Sequence, residues 1–215
     1  MPIRPEREYR SMELLTKQEQ ADNEYIVEGY ATTFGDSYEL YRDGKYVVME
    51  TIDKEAFRNA DLSDVVFLIN HSGRVYARTR NNSIELVNDE HGLRQKTNLG
   101  LTSSSRSVYE DIDAGLYDRM SFAFTVAKDT YTEEERANGD IILTRTILEV
   151  GKVYDISVVD FPANPYTDIS ARSKDSIDGE IKRFEAERLH AQEINEKRQA
   201  LKEQISRILE VTSNE

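Results

Sequence analysis

The chain contains few side chains that could serve as a nucleophile or as a general base. It has no cysteine and only 3 histidines, which are His71, His91 and His190. A hydroxyl nucleophile needs a base within hydrogen-bond reach, and that base needs a third group that fixes its tautomer and stabilises its charged form. The chemistry to look for is therefore acyl transfer by a serine or threonine that a histidine activates.

His71 is the histidine best placed to be such a base. It directly follows the apolar run VVFLIN (65–70), and the end of a buried strand brings a polar side chain to the rim of a core, where a site can form. A polar residue in a turn is the simpler interpretation of the same position. His91 lies in a turn between two predicted strands and His190 in a charged helix, so we expect both at the surface.

Ser121 is the leading candidate for the nucleophile. In the strand predicted from Met120 onward, period-2 alternation places Ser121 on the face opposite Met120 and Phe122. A small hydroxyl among bulky apolar residues is either an exposed nucleophile or a small residue that fills a tight space. The competing serine cluster, 103–105, is fully explained by the capping of a helix.

Two carboxylates compete for the third role. Asp155 interrupts the apolar strand VYDISVV (153–159), where a carboxylate costs free energy unless it is paired. His71 would be a suitable partner for it. Glu149, at the end of the preceding predicted strand, is the rival acid.

Composition excludes several other classes of protein. The net charge of −13 repels phosphate backbones and disfavours nucleic-acid binding. The absence of cysteine excludes disulfides, thiolate metal sites and cysteine catalysis, and the chain has no phosphate loop, HExxH or GxSxG motif. No apolar run is long enough to span a membrane. We therefore expect a soluble protein of a reducing cytosol, with no metal and no cofactor.

Strand signals dominate the first 172 residues. Asp43-Gly44 and Asn138-Gly139 are hairpin signals, and helices are predicted at 54–60 and 103–114. Many strands and few helices indicate a mostly β member of the α+β class, built as a barrel or strongly bent sheet with helices outside. The predicted strands are 25–34, 38–52, 65–70, 75–79, 83–88, 92–99, 120–131, 140–150 and 152–161.

The last part of the chain, 173–215, has a different composition. Of the 19 Tyr and Phe residues, only Phe184 lies within it. Apolar residues recur there at steps of three and four, which predicts one amphipathic helix. Its stripe is interrupted by polar residues, among them Arg198 and Lys202, so it needs a partner: another copy, an assembly or the domain surface. We predict a domain at 1–172 followed by a helical tail.

Three motifs in sequence order resemble one known family. They are Asn70-His71-Ser72 after an apolar strand, the segment MSFAF (120–124), and YDISVV (154–159) running into PANP (162–165). In this order they are similar to the prohead (procapsid maturation) proteases of tailed bacteriophages, distant relatives of the herpesvirus assemblins. The resemblance covers about residues 8–170.

The resemblance implies a serine endopeptidase with a herpesvirus-protease-like barrel. Ser121 would be the nucleophile, His71 the general base and Asp155 the third member. Many relatives have Glu where this chain has Asp155, which leaves Glu149 open. The oxyanion needs backbone N–H donors, for which the turn at 162–164 is a candidate, and no cofactor is required.

The resemblance also implies a biological setting. Substrates would be the scaffold protein, or the scaffolding segment of the major capsid protein, and the protease itself, inside a procapsid in the host cytoplasm. The tail would be scaffold-like or removed by self-cleavage near 170–174, and self-association of the chain is expected. The alternatives are a non-catalytic capsid-assembly or scaffold protein with the same fold, and an esterase for small molecules.

Overall fold

The computed structural model describes residues 7–13, 25–160 and 171–212. The chain divides into two compact units, Met1–Ser173 and Lys174–Glu215. Within the described residues no helix is both long and apolar enough to cross a bilayer. In the same part of the chain, no group of three or more His, Asp or Glu side chains is arranged to hold a metal ion.

Among the described residues, the first unit contains ten strands and one α-helix, and the second unit is formed by a further helix. The strands are β1 (Glu8–Glu13), β2 (Ile26–Thr33), β3 (Tyr38–Asp43), β4 (Tyr46–Ile52), β5 (Val66–Ile69), β6 (Ser72–Arg78), β7 (Ile84–Asn88), β8 (Gly92–Asn98), β9 (Arg119–Glu135) and β10 (Ile141–Val159). The helices are α1 (Ser103–Asp113) and α2 (Ala171–Thr212), with a 3-10 turn at Thr79–Asn81.

The described strands form two sheets. Seven strands form the larger one in the order β1-β9-β10-β4-β3, with β5 also paired to β10 and β6 paired to β5. The smaller sheet has the order β2-β8-β7. The mostly β, α+β class predicted from the sequence is correct, but a barrel is not confirmed because the described ladders do not close.

β10 is one continuous strand where the sequence predicted two, at 140–150 and 152–161. The pairing of β10 with β9 continues past Gly151, where the sequence predicted a break. β-Bulges shift the register of this pairing between Ile147 and Asp155. A Cβ added at Gly151 would lie 3.1 Å from the Thr125 hydroxyl, so β9 approaches closely there. β10 can therefore pair in parallel first with β4 and then with β5.

Two other sequence predictions fail in the same unit. The helix expected at 54–60 is a series of turns with hydrogen bonds three residues apart, such as Arg58 N–H to the Glu55 carbonyl. The Asp53 carboxylate accepts the Glu55 N–H and competes with helical bonding. β1 was not predicted, because its sequence EYRSME lacks the β-branched residues that signal a strand.

The core lies against one face of β9. Met120, Phe122 and Phe124 are fully buried, and the two phenylalanine rings stack with their centroids 4.5 Å apart. α1 contributes an apolar face that includes Val108. Its N-cap is Thr102, whose hydroxyl accepts the Ser105 N–H, so the capping side chain is the threonine and the serines at 103–105 form the first turn of the helix.

An ion-pair network joins β1 to the middle of the larger sheet. Arg10 of β1 bonds Glu50 of β4 at 2.5 Å and Glu8 at 2.6 Å. Arg145 of β10 bonds Glu8 at 2.8 Å, Glu50 at 3.1 Å and Asp129 at 2.7 Å. Burial alone would lower the pKa of Arg10, but the carboxylates of Glu50 and Glu8 raise that pKa well above its ordinary value. The network therefore fixes β1 as an edge strand beside β9.

Candidate active site

Three of the side chains selected from the sequence meet at one end of β9 and β10. The Nδ1 atom of His71 lies 2.6 Å from Oδ1 of Asp155, and its Nε2 atom lies 2.7 Å from Oγ of Ser121. Ser121 belongs to β9, Asp155 to β10 and His71 to the turn between β5 and β6. The order hydroxyl, imidazole, carboxylate is that of a nucleophile, its base and the group that orients the base.

The register of β9 and β10 explains why the site residues share a face. Ser121 pairs with Ser157 and Ala123 pairs with Asp155 across the antiparallel ladder. Directly opposite residues point to the same side of a sheet, and residues two apart on one strand do as well. Ser121, Asp155 and Ser157 therefore project together, while Phe122 points into the core.

His71 is presented by a tight turn with an unusual backbone. Asn70 and His71 form the two-residue connection between paired Ile69 and Ser72, with φ of +49° and +53°. Positive φ at both central residues is the signature of a type I′ turn, whose twist matches that of the two flanking strands. Glycine is the preferred second residue of such a turn. Histidine there costs free energy, and such strain at a non-glycine residue is typical of functional sites.

Hydrogen bonds to β10 hold this turn in place. The Asn70 N–H donates to the Val158 carbonyl at 2.9 Å, and the His71 N–H donates to the Ser157 hydroxyl oxygen at 3.2 Å. The Asp160 N–H donates to the Asn70 side chain at 3.3 Å. The imidazole is thus fixed relative to the strand that carries the carboxylate.

Ser157 is a fourth polar residue of the site, and sequence reasoning did not select it. Its hydroxyl donates to Oδ1 of Asp155 at 2.8 Å, and its oxygen lies 3.3 Å from Nδ1 of His71. The signal was present in the sequence, because Asp155 and Ser157 are two residues apart on a strand and must share a face. One hydroxyl therefore supports both the carboxylate and the histidine turn.

Asp155, rather than Glu149, is the carboxylate that reaches His71. A β-bulge at Tyr154 precedes Asp155, and bulges re-aim the side chain that follows them. Glu149 lies six residues earlier, which is about 20 Å along an extended strand. The shorter aspartate makes the contact because the turn approaches β10 closely.

Ser121 is buried, so of its two sequence interpretations the exposed nucleophile is wrong and the small residue in a tight space describes its position. Ser121 is 0% exposed, Asp155 is buried, and the side chain of His71 is 12% exposed. The ring of Tyr9, from β1, lies edge-on to the imidazole with centroids 4.7 Å apart. β1 pairs directly with this end of β9, Ser11 opposite Ser121, so this strand borders the nucleophile.

The remaining candidates lie away from this cluster. His91 and His190 are exposed, as the sequence predicted, and Ser103 is exposed at the start of α1. The segment 162–165, which completes the third sequence motif and includes the candidate oxyanion turn, lies outside the described residues. The proposed self-cleavage junction begins at Ser170, which is also outside them.

The contacts determine which atoms can exchange a proton. A carboxylate can only accept from Nδ1–H, which leaves the lone pair of Nε2 to accept the Ser121 hydroxyl proton. This is the tautomer that a general base requires.

The family follows from comparison of the whole chain with known proteins. A family model described as the caudovirus prohead serine protease matches residues 12–180. The chain belongs to that family. The match spans the three sequence motifs and all the site residues described above except Tyr9 and Ser11 of β1. Prohead proteases act in procapsid maturation, and the resemblance inferred from those motifs is therefore confirmed.

One solved structure is similar to this chain. It is the bacteriophage T4 capsid assembly protease gp21, at 9% sequence identity and a TM-score of 0.35. The similarity covers 72% of this chain and 98% of that one. No curated protein matches the chain.

Proposed function

We propose that this prohead protease family member is a serine endopeptidase in which Ser121 is the nucleophile, His71 the general base and Asp155 the orienting carboxylate. The observation that carries this proposal is the unbroken chain of short contacts from the Asp155 carboxylate through both imidazole nitrogens to the Ser121 hydroxyl. The strained turn that presents His71 supports it further, because nothing in the packing of the core requires a histidine there.

The reaction proceeds in two halves. Nε2 of His71 takes the Ser121 proton as Oγ attacks the scissile carbonyl, and the Asp155 carboxylate stabilises the imidazolium. His71 then protonates the leaving amine, and an acyl-enzyme ester remains on Ser121. Water, deprotonated by His71, hydrolyses that ester and regenerates the hydroxyl.

Ser157 acts as a positioning residue in this mechanism. Its hydroxyl donates to the same Asp155 oxygen that faces Nδ1, and its oxygen accepts the His71 backbone N–H. Because one side chain holds both partners, the separation of the carboxylate and the imidazole is fixed before substrate binds. Preorganisation of this kind lowers the reorganisation that the reaction requires.

The closed site implies that substrate binding is coupled to a local rearrangement. A scissile carbonyl must approach to about 3 Å from the nucleophile, yet Ser121 has no exposed surface. Tyr9 lies against His71 from an edge strand, so displacement of this ring is one route by which the site opens.

Scaffold protein, or a scaffolding segment of the major capsid protein, is the substrate that fits a procapsid maturation protease. In this proposal residues 1–172 form the protease domain, with the herpesvirus-protease-like architecture that the motifs imply. The tail is scaffold-like or is removed by self-cleavage, and the enzyme works inside a procapsid in the host cytoplasm.

A fluorophosphonate probe tests the proposed chemistry without knowledge of the natural substrate. The purified full chain is incubated with the probe and the adduct is located by peptide mapping. We expect modification of Ser121, loss of modification in His71→Ala, and wild-type modification in the matched control Ser103→Ala. Modification elsewhere, or modification of Ser121 that does not depend on His71, would contradict the assignment.

A non-catalytic capsid-assembly protein is the second candidate, and the complete burial of Ser121 is the observation that favours it. The same experiment separates the two functions. A chain that forms no adduct on any serine, while its folding is intact by circular dichroism, supports the non-catalytic function.

A further inference from the structure

Large aliphatic side chains are exposed along the distal half of α2. Within this unit, Ile194 is 39% exposed, Leu201 is 56% exposed and Ile205 is 49% exposed. They are spaced by seven and four residues, which places them within about 40° of one another around the helix. Such a stripe is the seam by which one helix packs against another.

The positions that flank this stripe carry no acidic residue. With Ile194 and Leu201 as d positions of a heptad, the seam and its flanks between 188 and 205 are occupied by apolar, basic and neutral polar residues only. The a and d positions are Ala191, Ile194, Arg198, Leu201 and Ile205, and the e and g positions are Arg188, His190, Asn195, Lys197, Lys202 and Gln204. The acids of the same stretch, Glu193, Glu196 and Glu203, lie at the outer c and f positions.

This charge arrangement disfavours a second copy of the chain as partner. In a parallel pair Arg198 would face Arg198 of the other copy at the a position, and Lys197 would face Lys202 across the g and e positions. In an antiparallel pair the flanks again supply no acid. The in-register parallel pair therefore juxtaposes like charges, which costs free energy, and neither orientation supplies an acid at the flanks of this face.

The basic groups are available to a partner. Among the side chains that the structure describes, Lys197, Arg198 and Lys202 form no ion pair and all three are exposed. Lysine and arginine stems cover apolar surface while their charged ends reach outward, so Arg198 inside the seam can bond an acid at the edge of a facing helix.

We propose that the 188–205 face of α2 binds an amphipathic helix of another protein whose apolar seam is flanked by Glu or Asp. The inference goes beyond the proposed peptidase function, because it rests on no residue of the Ser121 site. Its consequence is that the enzyme is recruited by the acidic helix of a partner, and that self-association expected from the sequence does not use this face.

Two synthetic helices that differ only in flanking charge test the proposal. Both have three heptads with Leu at the a and d positions; one has Glu at every e and g position and the other has Lys. Binding to the full-length chain is measured by fluorescence anisotropy at low and high salt. We expect the Glu peptide to bind about tenfold or more tightly than the Lys peptide, with a difference that shrinks as salt screens the charges.

Charge-reversal variants distinguish binding at the 188–205 face from non-specific binding of the peptides. Lys197→Glu with Lys202→Glu should reverse the preference between the peptides, whereas Glu196→Lys with Glu203→Lys, on the outer face, should retain it. Circular dichroism checks that both double variants keep the helix. Equal affinity for the two peptides, or an unchanged preference after reversal at 197 and 202, would overturn the proposal. A dimer of the chain that the Glu peptide dissociates would also overturn it, because a second copy would then occupy this face.

Discussion

Two clusters of buried polar side chains lie on β9 and β10, and they differ in how their hydrogen bonds are arranged. Near one end Arg145 bonds Glu8, Glu50 and Asp129 at once. Near the other, Ser121, His71 and Asp155 form a single chain of contacts in which the imidazole has one strong bond on each side. The first cluster is a closed network of fixed charges and the second is a path for one proton.

The backbone that carries the ion-pair network is regular, and the backbone that carries the Ser121 cluster is irregular. The ion-pair network lies on regular pairing between β4 and β10, where the register is unbroken from Ile141 to Ile147. The proton path depends on a bulge before Asp155 and on positive φ values at Asn70 and His71. Loss of one partner from a buried network of charges destabilises the fold, whereas strained backbone beside a movable proton is typical of sites that perform chemistry.

The largest expected effect is loss of the orienting carboxylate. Asp155→Asn presents an amide that can hold the imidazole in the wrong tautomer, so we expect kcat to fall about 10⁴-fold. Glu149→Gln should leave kcat near the wild-type value. The measurement is the rate of peptide cleavage by each variant, and the opposite ranking would transfer the third role to Glu149.

Substitution within the ion-pair network should lower the free energy of unfolding. Glu50→Gln removes the carboxylate that faces both Arg10 and Arg145, and the two buried guanidinium groups then retain only Glu8 and Asp129. Because a buried ion pair is broken on each arginine, we expect a loss of about 3–5 kcal/mol in the free energy of unfolding. Arg58→Ala, which breaks an exposed pair with Glu55, should change it by about 0.5 kcal/mol or less. Urea unfolding checks both, and comparable losses would remove the distinction between buried and exposed pairs.

A smaller effect is expected at Ser157, which we expect to influence both the stability of the fold and the rate of the reaction. Ser157→Ala removes a hydrogen bond to a buried carboxylate, and such bonds contribute about 1.5–3 kcal/mol. If Ser157 positions the catalytic pair, kcat falls about tenfold or more while KM is retained. A variant that loses stability but retains kcat would make Ser157 a structural residue only.

The smallest effect concerns the ion pair between the two clusters. Lys152 of β10 bonds the Asp61 carboxylate, and this hydrogen bond, with a further one from Ser63, lowers the pKa of Asp61. A carboxyl whose pKa is lowered on folding stabilises the protein above its unfolded pKa of about 3.9, and the contribution fades as the pH falls below that value. Unfolding free energies of wild type and Asp61→Asn should therefore differ at pH 5 and converge towards pH 2. A difference that grows as the pH falls would contradict the assignment.

Much of the candidate active site was accessible from the sequence because it depends on the alternation of side chains along a strand. The alternation of side chains along a strand placed Ser121 on the face away from Phe122 and Phe124. A lone carboxylate in an apolar strand pointed to Asp155. Long-range pairing was not accessible. The ladder that places Ser157 opposite Ser121, and the bulge that aims Asp155, arise from contacts between residues about 30 or more positions apart.

β1 shows most clearly why the rest could not be predicted. Its charged residues are poor strand formers, and only the buried partners Glu50 and Arg145 make Glu8 and Arg10 favourable in a sheet. Those partners lie 40 or more positions away. Tyr9, which β1 brings against His71, was missed for the same reason.

The most direct test of the account is the fate of the Ser121→Ala chain. Intact-mass spectrometry over several days follows wild type, Ser121→Ala, and Ser121→Ala mixed with wild type. We expect the wild type to lose a tail fragment by cleavage near residues 171–180, the variant alone to stay whole, and the variant to be cut only when wild type is added. A Ser121→Ala chain that loses the same fragment by itself, at the wild-type rate, would contradict the assignment of Ser121 as the nucleophile.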